Sequence, residues 1–519
     1  MAVRRATPLT AGIGASVALP WGKLRPLTAK AKQTVREYRV PLGRAMSEPW
    51  RGGPRGIVVP GARAGNNAYH LAALLFFSLP LLAEVFRKYV FPWNGVLVAS
   101  DVLAALIAAV LFVLRPSRRS VYITVAVGAL SAWGVVTVLF GHQDRMLGLV
   151  GLRAILVPAF YLIGAVQLAR RLGGSATAGV IYRVATFWLV VIGAVATLQL
   201  LVGRRHWLNY LPPELGADER QGIGDYTFAE FGLPELFRPT SIFLHTGKFG
   251  AVAFVLAAFR LFYSTASGQK GAHWVAGRLL ELAILLLSGQ RAAVVGFVFL
   301  SAGLWLAQAK KSNALVLRAL LACVVVVAAT WGILRQDWEP GVLQLVALRA
   351  YSGFLDIPER FRSNVLEPAG YVADRFGLTG EGIGAFSLGS GPWGGVPLYE
   401  VVPVGSAENS WLRIIAEQGM IGLVLQASFW VGLVWASWTA WRRSTEGWPG
   451  RGSGGNEPRL VLLCPGMILA VLLLWANTHD VLGNVTVMSL ALALFGVPFS
   501  EMGHARAHRS AALSRGRSG

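Results

Sequence analysis

A bilayer core about 30 Å thick needs about 20 consecutive apolar residues in each helix that crosses it. This chain supplies such runs repeatedly, near 68–86, 94–114, 121–140, 148–168, 184–202, 241–260, 275–289, 291–308, 317–334, 414–440, 459–477 and 483–500. They predict an all-α fold, a polytopic membrane bundle of about twelve transmembrane helices. Composition agrees: only 14% of the 519 residues are charged and the mean hydropathy is +0.53, whereas a soluble domain carries about a quarter charged residues. The polar break Ser288-Gly289-Gln290-Arg291 divides two of the runs. It argues for a tight re-entrant turn there, against the alternative of one long tilted helix.

The largest interval between runs divides the chain. Residues 1–66 form a basic tail without a sustained apolar period, expected to be disordered in the cytoplasm, where it can lie on anionic lipid. Residues 67–334 form the first part of the bundle, 335–410 a large, mainly helical periplasmic loop, 411–500 the last part, and 501–519 a second basic tail. Basic residues in alternate connections set the orientation. With the N-terminus inside, Arg115, Arg118, Arg119, Arg170, Arg171, Arg260, Lys270, Arg278, Lys310, Lys311, Arg442 and Arg443 all fall on the cytoplasmic side, as do both termini. Arg87-Lys88, on a short outside loop, is the one discord.

The net charge of +22 does not make this a nucleic-acid-binding chain, because no basic module with interleaved aromatics is present. Cys323 and Cys464 both lie inside apolar runs and read as core thiols. No bound metal or other cofactor is expected. No internal repeat of the kind that marks many transporters is evident.

Candidate chemistry gathers on the outside loops. Asp356, Pro358 and Glu359 make a helix start, after which Phe361, Val365 and Val372 share one face. Arg360 and Arg362 flank that face, either pointing at what the helix covers or standing as solvated charges. The turn with Gly377, Gly380, Gly382 and Gly384 could bring backbone N–H groups close to an anion, or be a plain flexible loop. In Ser406-Ala407-Glu408-Asn409-Ser410-Trp411-Leu412, Ser406 can cap a helix with Glu408 in its first turn. On that helix Leu412, Ile415, Gly419 and Gly422 lie near the Glu408 face and Glu417 opposite. Glu408 is then either a stabiliser of the helix start or a general base for a hydroxyl. Arg291 lies between two apolar segments, a costly place for a charge without a polar cavity or a partner. Arg238 opens the stretch that enters the next span, snorkelling or functional, with His245 and Lys248 as further candidates for binding substrate.

Four stretches together resemble the O-antigen ligase and polymerase family of membrane glycosyltransferases. They are Arg238-Pro239, Ser288-Gly289-Gln290-Arg291-Ala292, Arg362 with Leu366, and Glu408-Asn409-Ser410-Trp411-Leu412 followed by Glu417-Gln418-Gly419-Met420-Ile421-Gly422. The resemblance implies an inner-membrane enzyme of bacteria that moves a glycan from an undecaprenyl-pyrophosphate donor to a glycan acceptor on the periplasmic face. Transfer would be inverting and metal-independent, in keeping with the lack of an Asp-x-Asp pair in the outside loops. It makes Glu408, Arg291 and Arg362 the catalytic candidates. Arg238, His245, Lys248, Arg360 and Asn409 would bind substrate. The ligases commonly carry a histidine where this chain has Glu408, which tilts the expectation toward a polymerase working beside a flippase and a chain-length regulator. Ligation to lipid A-core is the first alternative. A transporter or flippase of lipid-linked glycan is the second, for which Asp101 would be one of few mid-span acids.

Overall fold

The computed structural model describes residues 66–114, 118–141, 143–203, 206–209, 227–228, 233–269, 271–307, 362–386, 398–402, 409–446, 459–477 and 479–500. Within these the chain is helical apart from one small antiparallel ribbon. In order come α1 (Asn66–Tyr89), α2 (Gly95–Leu114), α3 (Arg118–Phe140), α4 (Arg145–Leu172) and α5 (Gly174–Val202). The ribbon, β1 (Thr227–Phe228) with β2 (Leu233–Phe237), precedes α6 (Thr246–Ala266), α7 (Ala272–Leu287) and α8 (Arg291–Ala307). Then follow α9 (Glu367–Phe376), the short α10 (Leu398–Val401), α11 (Ser410–Glu446), α12 (Leu460–Trp475) and α13 (Val485–Ala493).

Seven of these helices, α1 to α6 and α11, are long and apolar enough to cross a membrane. That is fewer than the twelve spans expected. The pair at 275–289 and 291–308 is split by the turn at Gly289 (φ 65°), so α7 and α8 are both short. The last two apolar runs also form shorter helices, Leu460–Trp475 and Val485–Ser500. The run at 317–334, both tails, and the Asp356-Pro358-Glu359 helix start lie outside the described residues. In the large loop the described helix begins later, at Glu367 with Pro368 in its first turn, after a π-type turn at Arg362–Leu366.

α6 is the hub. Every residue from Phe249 to Phe262 is buried, and α5, α7, α8, α12 and α13 pack around it. A helix apolar all round has no use for solvent, and surrounding it removes its surface from lipid. α4 is the second pillar, packed by α2, α3 and α13. Its start is fixed by Asp144, whose carboxylate accepts from the Met146 backbone N–H at 2.6 Å. Cys464 is buried on α12 as a free thiol; Cys323 lies outside the described residues.

Long-range bonds gather one set of helix ends at a single end of the bundle. Lys248 at the start of α6 pairs with Glu84 near the end of α1, and the Thr486 hydroxyl of α13 donates to the same carboxylate at 2.9 Å. Arg153 of α4 meets Asp101 of α2 at 2.5 Å. The Ser410 N–H, opening α11, donates to the Ala476 carbonyl after α12 at 2.9 Å. All the outside-loop candidates among the described residues lie at this end.

Candidate functional site

The segment from Arg238 to His245 is a rigid platform. Ser241 has a left-handed backbone (φ 54°), uncommon for a residue with a side chain, and three other residues hold it there. The buried Lys88 ammonium donates to the Thr240 hydroxyl at 2.7 Å and to the carbonyls of Ser241 and Phe243 at 2.6 and 2.9 Å. The Tyr89 hydroxyl donates to the Ser241 carbonyl at 3.0 Å. Gln199 accepts from the Ser241 N–H at 2.7 Å and donates to its carbonyl at 3.1 Å. Lys88, the orientation signal out of place in the sequence, is therefore a buried structural cation, and Arg87 lies 4.0 Å from Glu84.

This platform meets the polar break. A Cβ built on Gly289 would stand 2.5 Å from Cδ and 3.0 Å from Cγ of Arg238, so the arginine stem lies against the bare glycine backbone. Beside it the Ser288 hydroxyl accepts from the Gln290 N–H at 3.2 Å, and Gln290 and Ser288 pack on Gly250 of α6. Gln290 is buried and donates to the Thr246 hydroxyl at 3.5 Å. Arg291 follows as the first residue of α8, half-buried. Two arginine-bearing stretches that lie far apart in sequence thus share one place.

The surroundings are positive. Among the described residues here, Arg87, Lys88, Arg153 and Lys248 face two carboxylates, Glu84 and Asp101, and these groups act on one another's charge. Lys248 is held by Glu84 and 14% exposed, so it reaches a ligand only from within that pair. His245 keeps an open edge to solvent. Crowding by protein, and after it Lys248 and Arg87, push its imidazole down to about 4, leaving it neutral near pH 7.

The remaining candidates divide. Arg362 stands on an exposed rim, 71% exposed, paired with Glu367 at 3.0 Å. Asn409 is buried and caps α11, accepting from Trp411 N–H at 2.8 Å and Leu412 N–H at 3.3 Å. It takes the capping role expected of Ser406. Ser406, Glu408 and Arg360 lie outside the described residues. Asp101, the acid that a transporter would use, is paired with Arg153.

Sequence reasoning missed a second network at this end. Arg413 donates to Glu417 at 2.8 Å and to Asp480 at 3.0 Å, all three with side chains at most 10% exposed. The Ser410 hydroxyl lies 3.1 Å from both the Asp480 carboxylate and the His479 carbonyl. Glu417, expected to face away from the bundle, is fully buried and accepts from the Phe386 N–H at 3.1 Å. The helix is broken beside it at Gly419 (φ 68°), where the glycine-rich turn docks. Glu381 and Gly382 N–H groups donate to the carbonyls of Ala416 and Glu417 at 2.8 and 2.9 Å. A Cβ on Gly380 would strike α11 backbone, one on Gly384 would strike α4 backbone, and one on Gly382 would strike Gln143. These glycines serve close backbone packing, in place of the anion cradle or flexible loop expected of them. A small cavity lined by Arg413, Glu417, Gln418, Gln426 and Trp430 lies alongside. Compared with known proteins, the chain matches no family model and no curated sequence.

Proposed function

We propose that the chain is a bacterial inner-membrane glycosyltransferase of the O-antigen ligase and polymerase type. Its donor would be an undecaprenyl-pyrophosphate-linked glycan and its acceptor a second glycan, in the assembly of a surface polysaccharide. The observation that carries this reading is the seating of Arg238 on Gly289, which brings the Arg238 and Arg291 stretches together at the end where, among the described residues, Arg87, Lys88, Arg153 and Lys248 outnumber Glu84 and Asp101. Guanidinium forks suit pyrophosphate oxygens, and preorganised positive charge stabilises a leaving group whose negative charge grows in the transition state.

In the reaction, the acceptor hydroxyl oxygen attacks the anomeric carbon from the face opposite the leaving group. The bond from that carbon to the pyrophosphate oxygen breaks, its electron pair leaves with undecaprenyl pyrophosphate, and the configuration inverts. The hydroxyl proton passes to a base, a role assigned to Glu408, which directly precedes the Asn409 cap of α11. Arg291 and Arg238 hold the pyrophosphate, with Lys248 and His245 behind them. Arg362, on the exposed rim, is left a secondary contact. Polymerisation is preferred to ligation, following the glutamate at position 408.

The test is lipid-linked oligosaccharide transfer by purified protein, or polymer ladders in cells, with Arg291→Ala and Glu408→Gln. Loss of product in both, at unchanged protein level, supports the assignment. Normal ladders with Arg291→Ala would remove it, and full activity of Glu408→Gln would leave residue 408 without a catalytic role.

A further inference from the structure

A second group of charges sits on α6 and α7, away from the arginine turn. At 1.5 Å per residue, Arg260 falls about 20 Å along α6 from its first residue. Here Glu281, fully buried, has Arg278 Nη2 at 2.9 Å and Arg260 Nε at 3.4 Å. The two arginine side chains are only 9% and 13% exposed. Proximity is not alignment: Nε and Nη1 of both arginines find no acceptor among the described residues, and neither Glu281 oxygen accepts a hydrogen bond from them. Among the described residues, two guanidiniums against one carboxylate also leave one positive charge uncompensated, which is costly away from water.

Each guanidinium also lies near an aromatic ring. The guanidinium of Arg260 lies 5.7 Å from the Tyr182 ring centroid, and that of Arg278 lies 5.7 Å from the Trp274 centroid. Rings cover faces and leave N–H edges for an acceptor. Gly277, just before Arg278, has no side chain to cover Arg260, whose Nη2 would lie 3.8 Å from a Cβ there. Along α7, Val275, Leu279 and Leu280 are 48%, 62% and 44% exposed, an apolar strip next to the charges.

We propose that Arg260 and Arg278 bind the phosphate of an anionic membrane-lipid headgroup, with its acyl chains along Val275, Leu279 and Leu280. The phosphate meets the pair at the small part of each arginine side chain that stays exposed and cancels the charge left over among the described residues. The adjoining apolar strip favours a lipid over free phosphate. This site is independent of glycosyl transfer and stands or falls separately from it.

The experiment is native mass spectrometry of the full chain in detergent, titrated with phosphatidylglycerol, phosphatidylcholine or inorganic phosphate. Phosphatidylglycerol should bind in preference to phosphatidylcholine, and Arg278→Gln should weaken it by about tenfold or more, the worth of one charge-assisted hydrogen bond. Glu281→Gln frees both guanidiniums and should bind phosphatidylglycerol at least as well as the parent. That variant decides the matter if Arg278→Gln does not fold, since a purely structural ion lock would lose lipid along with Glu281. Unchanged binding in Arg278→Gln, weakened binding in Glu281→Gln, or inorganic phosphate displacing the lipid at equal concentration would each overturn the proposal.

Discussion

Arg238 lies across the bare α-carbon of Gly289, so the platform before α6 and the turn between α7 and α8 lock together through a residue with no side chain. Gly289 also has a left-handed backbone, φ 65°. Gly289→Ala should therefore cost about 1–2 kcal/mol from backbone conformation and push the Arg238 stem aside as well. Glycosyl transfer should fall further than thermal stability does. A variant that melts a few degrees lower but transfers at the parental rate would show that the seat does not matter.

Lys88 makes the same point from below. Its ammonium holds Thr240, Ser241 and Phe243 through three bonds. Lys88→Met keeps the stem and takes the ammonium donor from the Phe243 carbonyl, at about 1–3 kcal/mol, while the Ser241 carbonyl keeps Tyr89 and Gln199. The expected result is a lower melting temperature together with lost activity, and Lys88→Arg should restore little, because a planar fork does not reproduce that geometry.

The Arg413, Glu417 and Asp480 network is assigned to stability. Arg413→Met strands two buried carboxylates and should destabilise by about 3–5 kcal/mol, read as loss of folded protein in detergent. A triple variant with Glu417→Gln and Asp480→Asn should recover much of it. If Arg413→Met instead stays folded but inactive, the network belongs to the site.

His245 gives a pH signature. Its folded pKa, about 4, lies below the ordinary histidine value of 6.5. Between these values the unfolded chain binds a proton that the folded chain refuses. Its contribution to stability is therefore fully present above pH 6.5 and declines as pH falls toward 4. Melting temperature should drop over that window in the parent and drop less in His245→Gln. Equal slopes would mean that other groups govern the acid limb.

What could be read from the sequence followed from local period. Apolar runs such as 148–168 and 184–202 became α4 and α5, and the polar break at 288–291 marked a real turn. Pairings across distant sequence could not be read that way. Nothing near Lys88 says that it will hold Ser241, and nothing near Arg413 announces Asp480. Position 419 looked like one more helical residue, because a glycine in an apolar helix carries no sign of the backbone that docks on it. Glu417 then went to the wrong environment: helical phase assigns a face, whereas the docked turn buries more than one face at that level.

The central claim is that Arg291 and Arg238 together carry the negative charge of the leaving pyrophosphate. It is tested most directly by single-turnover transfer from a lipid-linked oligosaccharide with Arg291→Ala, Arg238→Ala and the double variant. Each single change should slow the chemical step by about 100-fold or more, the scale of losing one transition-state donor. The double change should cost less than the product of the two, because the groups act on one charge. Parental turnover in Arg291→Ala, with the protein folded, would contradict the claim.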